Sequence, residues 1–267
     1  MASSDSFAGR ILARLPESGM RFGLDRIQAA CDALGRPQGA YPVVHVAGTN
    51  GKGSTSAMLA AALGAAGLRV GLYTSPHLLH FRERIRIDGA PISEAALDAS
   101  MQRLWAAGDF VREPAQLSYF ETATALAFDA FAHAGVEIAV VEVGLGGRLD
   151  ATNVGGKDLR AAVISRVAQD HASFLGRDLG AIAREKGAIA RAGRPLVLGP
   201  QRPEAREALV ALARDVGAEL VDVETETSLI PPPQGLAYRG PRWELQGIRL
   251  GLLGPHQIEN ARLALAT

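Results

Sequence analysis

Val43-Val44-His45-Val46-Ala47-Gly48-Thr49-Asn50-Gly51-Lys52-Gly53-Ser54-Thr55 is the stretch whose reading decides the fold. An apolar β-branched run stops at a glycine-punctuated turn, and the turn opens into an Ala/Leu-rich helical pattern. The glycines let backbone N–H groups approach a bound anion where a Cβ would block it. A helix starting near Gly53 adds unpaired N–H groups and the positive end of its dipole. Lys52 supplies a charge for outer phosphates, and Ser54 or Thr55 a hydroxyl for Mg²⁺. The stretch therefore reads as a phosphate cradle in a strand-turn-helix setting.

It departs from the usual G-x-x-x-x-G-K-[ST] pattern, because two residues separate Gly48 from Gly51 and Gly53 intervenes after Lys52. The plain alternative is a tight turn with an incidental lysine. Composition argues against that. The chain has 28 Lys+Arg but only three lysines, Lys52, Lys157 and Lys186. In a chain that otherwise uses arginine, a lysine marks a place where a planar guanidinium does not serve.

Working outward, 267 residues with 48% hydrophobic and 21% charged side chains make a globular core. A net charge of zero gives no global field for nucleic acid or an acidic membrane. The single cysteine, Cys31, rules out an intrachain disulfide and a cysteine-based zinc site, and reads as a small buried hydrophobe on a helix. No stretch resembles a signal peptide or a membrane span, so the expected compartment is the cytoplasm.

Residues through about Phe7 read as a disordered start, and 1–20 as a partly flexible N-terminus. Leu24 to Leu34 has helical spacing. Strands are expected at 43–46, 69–73, 84–89, 138–143, 161–165, 195–198 and 219–223. Helices are expected from the cradle to Ala66, and at 93–107, 119–133, 178–192 and 203–216. The alternation predicts an α/β fold: a mostly parallel sheet with helices on both faces. After Pro231-Pro232-Pro233, 236–246 and 248–253 read as a small antiparallel hairpin, and His256 onward as a helix. One domain over 1–267 is the expectation. The helical pattern is still running at Thr267, which reads as an interruption with more polypeptide beyond it.

In such a sheet ligands sit beyond the carboxyl ends of strands. Ser75, Glu142 with the glycine-rich 144–147 turn, and Asp170-His171 fall at such ends and are expected to converge near the cradle. A carboxylate inside an apolar strand is costly unless paired or metal-bound. Glu142 is thus either an ion-pair partner of an arginine such as Arg148 or a Mg²⁺ ligand. His171 is a candidate second ligand, and His45, His80 and His133 read as structural or exposed. Lys186 is either an exposed helix lysine or, given its rarity, a group that pairs with phosphate or carries a carbamate.

Together these motifs resemble the folylpolyglutamate synthase/dihydrofolate synthase branch of the Mur-ligase superfamily. The matching stretches are RFGLDRI (21–27), HVAGTNGKGST (45–55), YTSPHL (73–78), SYFETAT (118–124), EVGLGGRLDATN (142–153), DH (170–171), EKGAIA (185–190) and LLGPHQIENARLALA (252–266). The resemblance implies an ATP- and Mg²⁺-dependent amide ligase, monomeric and without nucleic-acid or membrane partners. Such an enzyme joins L-glutamate to dihydropteroate or folate through an acyl phosphate. It implies that Thr49, Asn50, Gly51, Lys52, Gly53 and Ser54 hold the triphosphate and that Ser54, Ser75, Glu142 and His171 ligate Mg²⁺. Lys186 would be carbamylated and help hold a second Mg²⁺, with Lys52, Glu142, His171 and Lys186 as the catalytic set. Ser118, Tyr119, Phe120, Glu121, Leu149, Asp150 and Ala151 would line the pteridine pocket, and Asn260, with His256 and Gln257, would meet the adenine.

Two departures stand out. Glu-Lys-Gly-Ala replaces the family's usual Glu-Lys-Ala-Gly, and the family's C-terminal Rossmann-like domain has no counterpart in this sequence. The chain is therefore expected to bind ATP but to ligate weakly or not at all. The alternatives are a muramyl-peptide-type ligase and a nucleotide-binding module without ligase activity.

Overall fold

A computed structural model of the chain describes residues 6–15, 23–112, 116–155, 158–169, 178–230 and 235–267. Eight strands make a mixed, mostly parallel sheet: β1 Val43–Ala47, β2 Val70–Tyr73, β3 Ile85–Ile87, β4 Ala90–Pro91, β5 Ile138–Glu142, β6 Leu159–Ile164, β7 Pro195–Leu198 and β8 Glu219–Asp222. Three more, β9 Ser228–Ile230, β10 Leu236–Arg239 and β11 Glu244–Ile248, form a small antiparallel sheet. The residues group into two compact units, one built on 1–43, 60–145 and 149–158, the other on 44–59, 146–148 and 159–267.

In the first unit the strands run β4-β3-β2-β5. β2 lies parallel to β5, Val70 opposite Ile138, and antiparallel to β3. β5 is buried along its whole length, which explains its nearly unbroken apolar sequence. The Tyr119–His133 helix packs nearly all round, with Phe128 and Phe131 fully buried and Phe131 edge-on to Tyr41. Gly71 in β2 is required by that packing, since a Cβ there would lie 2.8 Å from the Phe131 ring. The cluster also takes in Cys31 on the Asp25–Ala33 helix, whose thiol burial pushes up to about 12. It is the buried apolar side chain expected. The helix Phe7–Leu12, capped by Ser6 and hydrogen-bonded to Asp98 through Ala8 N–H, buries Ile11 and Leu12 in the same cluster. Residues 7–12 are thus helical and packed.

In the second unit the strands run β1-β6-β7-β8, with β6, β7 and β8 parallel. The Pro203–Val216 helix follows β7 and ends at Gly217 in the left-handed region, φ 75°. The helix expected over 178–192 is shorter, Leu179–Gly187. Ala190 N–H bonds back to Gly187 O, so Ile189 and Ala190 bury their side chains from a turn that keeps the apolar spacing without the helix. β8 stops at Asp222, whose carboxylate caps the short Val223–Glu226 helix. The expected hairpin is shifted. Its turn falls at Gly240-Pro241-Arg242-Trp243, closed by Gly240 N–H to Trp243 O at 3.0 Å, because Pro241 has no N–H for a ladder. Residues 249–253 are accordingly not a strand, and the three-residue β9 adds an edge too short to read from pattern. Among the described residues no helix is long and apolar enough to cross a membrane.

Candidate active site

The cradle is the junction of β1 with the Lys52–Ala65 helix. Gly48 at φ 145° and Gly51 at φ 90° bend the backbone where L side chains are strained. Neither has room for one: a Cβ at Gly48 would sit 1.9 Å from Ser165 Oγ, and at Gly51 2.3 Å from Asn260 Oδ1. Thr49 and Asn50 turn their N–H groups onto Arg166 O at 2.9 and 3.1 Å. Thr49 Oγ1 donates to Ala168 O and accepts from Ala168 N–H. Gln201 braces the segment below, accepting from Val167 N–H at 2.9 Å and donating to Ser165 O at 3.0 Å.

The N–H groups of Gly51, Lys52, Gly53 and Ser54 precede the first intrahelical bond, Thr55 N–H to Gly51 O, and meet no backbone acceptor among the described residues. Lys52 Nζ lies 3.5 Å from Thr49 O, at the mouth of this donor set. Such an arrangement can hold an anion by surplus donors, helix dipole and one cation. Beneath it His45 in β1 is fully buried, and burial, with Arg191 adding to it, pushes its pKa down to about 3. His45 is a neutral packing residue, as expected.

The first unit carries the other expected side chains. Glu142 ends β5 with 4% of its surface exposed, and Oε2 accepts Ser75 N–H at 3.1 Å. A buried carboxylate at a strand end fits Mg²⁺, which takes one or two carboxylates and completes its shell with phosphate and water. Among the described residues no group of three or more His, Cys, Asp or Glu surrounds a metal position. Asp170 and His171 lie outside the described residues.

Ser118 and Glu121 form a reciprocal capping box: Ser118 Oγ accepts Glu121 N–H at 3.3 Å and Glu121 Oε2 accepts Ser118 N–H at 2.8 Å. Arg26 closes on the buried Glu121 at 2.9 Å. Phe120 fills the space over Gly144, where a Cβ would come within 2.4 Å of the ring, and leans on Tyr73. Tyr119 stacks edge-on to Phe81 beneath the Arg84 guanidinium. Asp150 is buried, and its carboxylate organises the loop by accepting Leu145 N–H at 2.8 Å and both Thr152 N–H and Oγ1. Burial raises the Asp150 carboxyl above its ordinary 3.8, while those donors pull it down. Ala151 is buried and Leu149 half-buried. Glu83, unmarked in the sequence reading, accepts the N–H groups of Leu78, Leu79 and His80, and these bonds lower its pKa.

The model of the Mur ligase middle domain matches residues 46–267. The chain belongs to the Mur ligase family. A dihydrofolate synthase/folylpolyglutamate synthase from Mycobacterium tuberculosis is 41% identical over 276 residues, covering 95% of this chain and 56% of that protein. The structure of E. coli FolC in complex with DHPP and ADP superimposes with a TM-score of 0.85 at 34% identity, covering 99% of this chain and 62% of that one. The M. tuberculosis folylpolyglutamate synthase complexed with ADP gives 0.85 at 40%, covering 96% and 59%. The chain thus spans little more than half the length of these relatives.

As a Mur ligase domain the chain explains its own departure from the motif. Lys186 is buried, at 3% exposure, not an exposed helix lysine. Gly187 beside it faces the Pro203–Val216 helix, where a Cβ would come within 2.8 Å of Leu209 and 3.2 Å of Leu212. The glycine at that position leaves room for those leucine methyls, and Lys186 stays on the helix. The 146–148 segment docks on the same helix: Arg148 N–H bonds to Glu185 O, Arg148 Nε reaches the Glu185 carboxylate at 3.0 Å, and a Cβ on Gly147 would lie 2.7 Å from Glu185 O. Asn260 is brought to the cradle against Gly51. Arg166, Ala168, Gln201 and Ser165 had no sequence signal, because most act through backbone atoms or through packing against a glycine.

Proposed function

We propose that this chain is the ATP-binding part of an ATP- and Mg²⁺-dependent ligase that adds L-glutamate to dihydropteroate or to (tetrahydro)folyl-glutamates. The observation that carries this reading is the run of surplus N–H donors from Gly51 to Ser54 beside Lys52. The relatives' names and their ADP complexes support the same chemistry. In the proposed reaction a substrate carboxylate oxygen takes the γ-phosphoryl group of ATP, releasing ADP. The glutamate amine then forms the C–N bond as the acyl C–O bond to phosphate breaks, and a proton leaves the nitrogen. Positioning and charge neutralisation are most of what phosphoryl transfer requires.

Gly51 through Ser54, with Thr49 and Asn50 shaping the turn, bind the triphosphate, and Lys52 neutralises its outer charge. Ser54, Ser75, Glu142 and His171 would hold Mg²⁺, which supplies charge neutralisation to the phosphates. A carbamate on the buried Lys186 would hold a second ion. Asn260 meets the adenine. Phe120, Tyr119, Leu149 and Ala151 form the apolar wall for the pterin, with Ser118, Glu121 and Asp150 fixing its shape. The same reading makes the protein a cytoplasmic monomer.

The test incubates the protein with ATP, Mg²⁺, L-glutamate and either dihydropteroate or tetrahydrofolate, and asks by mass spectrometry which pterin gains a glutamyl unit. We infer weak or no ligation by residues 1–267 alone but clear ATP binding; robust ligation by that chain would overturn the inference. The chain's 56% span of its relative favours a second reading, a module that retains nucleotide without ligating. ATP consumption that depends on both pterin and glutamate rules that reading out. In the intact gene product Lys186→Arg should spare nucleotide binding and cut turnover, since a guanidinium forms no carbamate.

A further inference from the structure

The carboxamide of Asn260 lies against Gly51, the residue at which the loop turns into the donor set. Its orientation is fixed from behind. Asn260 Nδ2 donates to Gln257 Oε1 at 2.9 Å, and Gln257 Nε2 donates to His256 Nε2 at 3.2 Å. The His256 ring in turn packs over Gly254, where a Cβ would lie 2.6 Å from it. With Nδ2 committed to Gln257, Oδ1 is the atom left facing the loop.

The His256–Ala266 helix that carries Asn260 is itself anchored. Arg262 donates to Val223 O at 2.7 Å, to Thr227 Oγ1 at 2.9 Å and to Thr227 O. Trp243 Nε1 donates to Leu265 O at 3.1 Å. The loop is therefore held on one side by Arg166 O at Thr49 and Asn50, and on the other by a braced amide at Gly51.

We propose that Asn260 is a positioning residue for the phosphate loop. Through Gly51 it fixes the directions of the N–H groups of Gly51 to Ser54, so affinity for the polyphosphate itself depends on the C-terminal helix. The proposal rests on the nucleotide-binding reading and deepens it.

Two measurements on the full chain test it. Amide hydrogen exchange across 48–55, without ligand, should speed up about three- to tenfold in Asn260→Ala, the scale of one lost contact on the loop. Calorimetric titration with inorganic tripolyphosphate and with ATP should show both weakened by a similar factor of about three to ten. Gln257→Ala, which removes the brace without touching the loop, should move both readouts the same way by less, with the circular dichroism of wild type. Unchanged exchange in Asn260→Ala, or weakened ATP binding with tripolyphosphate unaffected, would overturn the proposal in favour of a base contact alone. If wild-type protein binds neither ligand, the nucleotide reading falls, and the exchange comparison decides the positioning role on its own.

Discussion

The cradle and the 144–152 loop are both glycine-rich turns at strand ends, yet they are built in opposite ways. Around the cradle the acceptors belong to the protein backbone, Arg166 O and Ala168 O, and what remains over is N–H from Gly51 to Ser54. In the first unit the acceptors are side-chain carboxylates, and they are occupied. Asp150 gathers N–H from Leu145 and Thr152, Glu142 takes Ser75 N–H, Glu121 takes Ser118 N–H, and Glu83 takes three in a row. A region with spare donors suits an anion. A region whose carboxylates take up backbone N–H groups holds its loops in place. The difference teaches that similar glycine punctuation in sequence leaves donors spare in one turn and ties them to a carboxylate in the other, decided by what the turn is packed against.

The largest way to break this comparison is acid. His45 has a folded pKa of about 3 against an ordinary 6.5, so the unfolded chain binds the proton more readily. Stability conferred by keeping it neutral is full above 6.5 and lost as pH falls toward 3, by up to several kcal/mol. A thermal-denaturation series should show an acid limb beginning near pH 6.5 that His45→Gln moves to lower pH; a superimposable limb would discount His45. Next, Lys52→Ala should weaken ATP on the order of 100-fold with the fold intact, as expected for a charge-assisted contact. A tenfold or smaller loss by calorimetry would mean that the N–H donors act without it.

Gly147→Ala and Gly144→Ala sharpen the comparison further. The first drives a Cβ into the carbonyls of Glu185 and Lys186, which cannot move without the helix; the second meets the Phe120 ring. Gly147→Ala should cost about 2–3 kcal/mol in urea denaturation. Gly144→Ala should cost less and be partly restored by Phe120→Leu, and equal costs would contradict the distinction. The smallest effect has the opposite sign to that of His45. Burial raises the Asp150 carboxyl, so the folded state holds its proton more tightly than the unfolded chain. Its contribution to stability therefore falls as pH rises from 3.8 through the raised value, and Asp150→Asn should flatten that slope.

Much of this was legible in the sequence where the signal is local. Both ends of the Tyr119–His133 and Pro203–Val216 helices follow from caps and spacing, and β5 from its unbroken apolar run. Ser118 and Glu121 were legible as a motif, and the structure shows them as a capping box. The C-terminal hairpin was displaced because a Gly-Pro turn sat inside what reads as one strand.

By itself the sequence determined the strand, glycine turn and helix of 43–55, with Lys52 at the helix start, since hydrophobic spacing, glycine freedom and helix nucleation act between near neighbours. Only the tertiary structure decided why those glycines are needed. Gly48 faces Ser165, Gly51 faces Asn260, Gly147 faces the backbone of Glu185, and Lys186 is buried. These are excluded-volume and burial facts between residues far apart in the chain, and a residue's letter does not carry the identity of the atom that will stand against it.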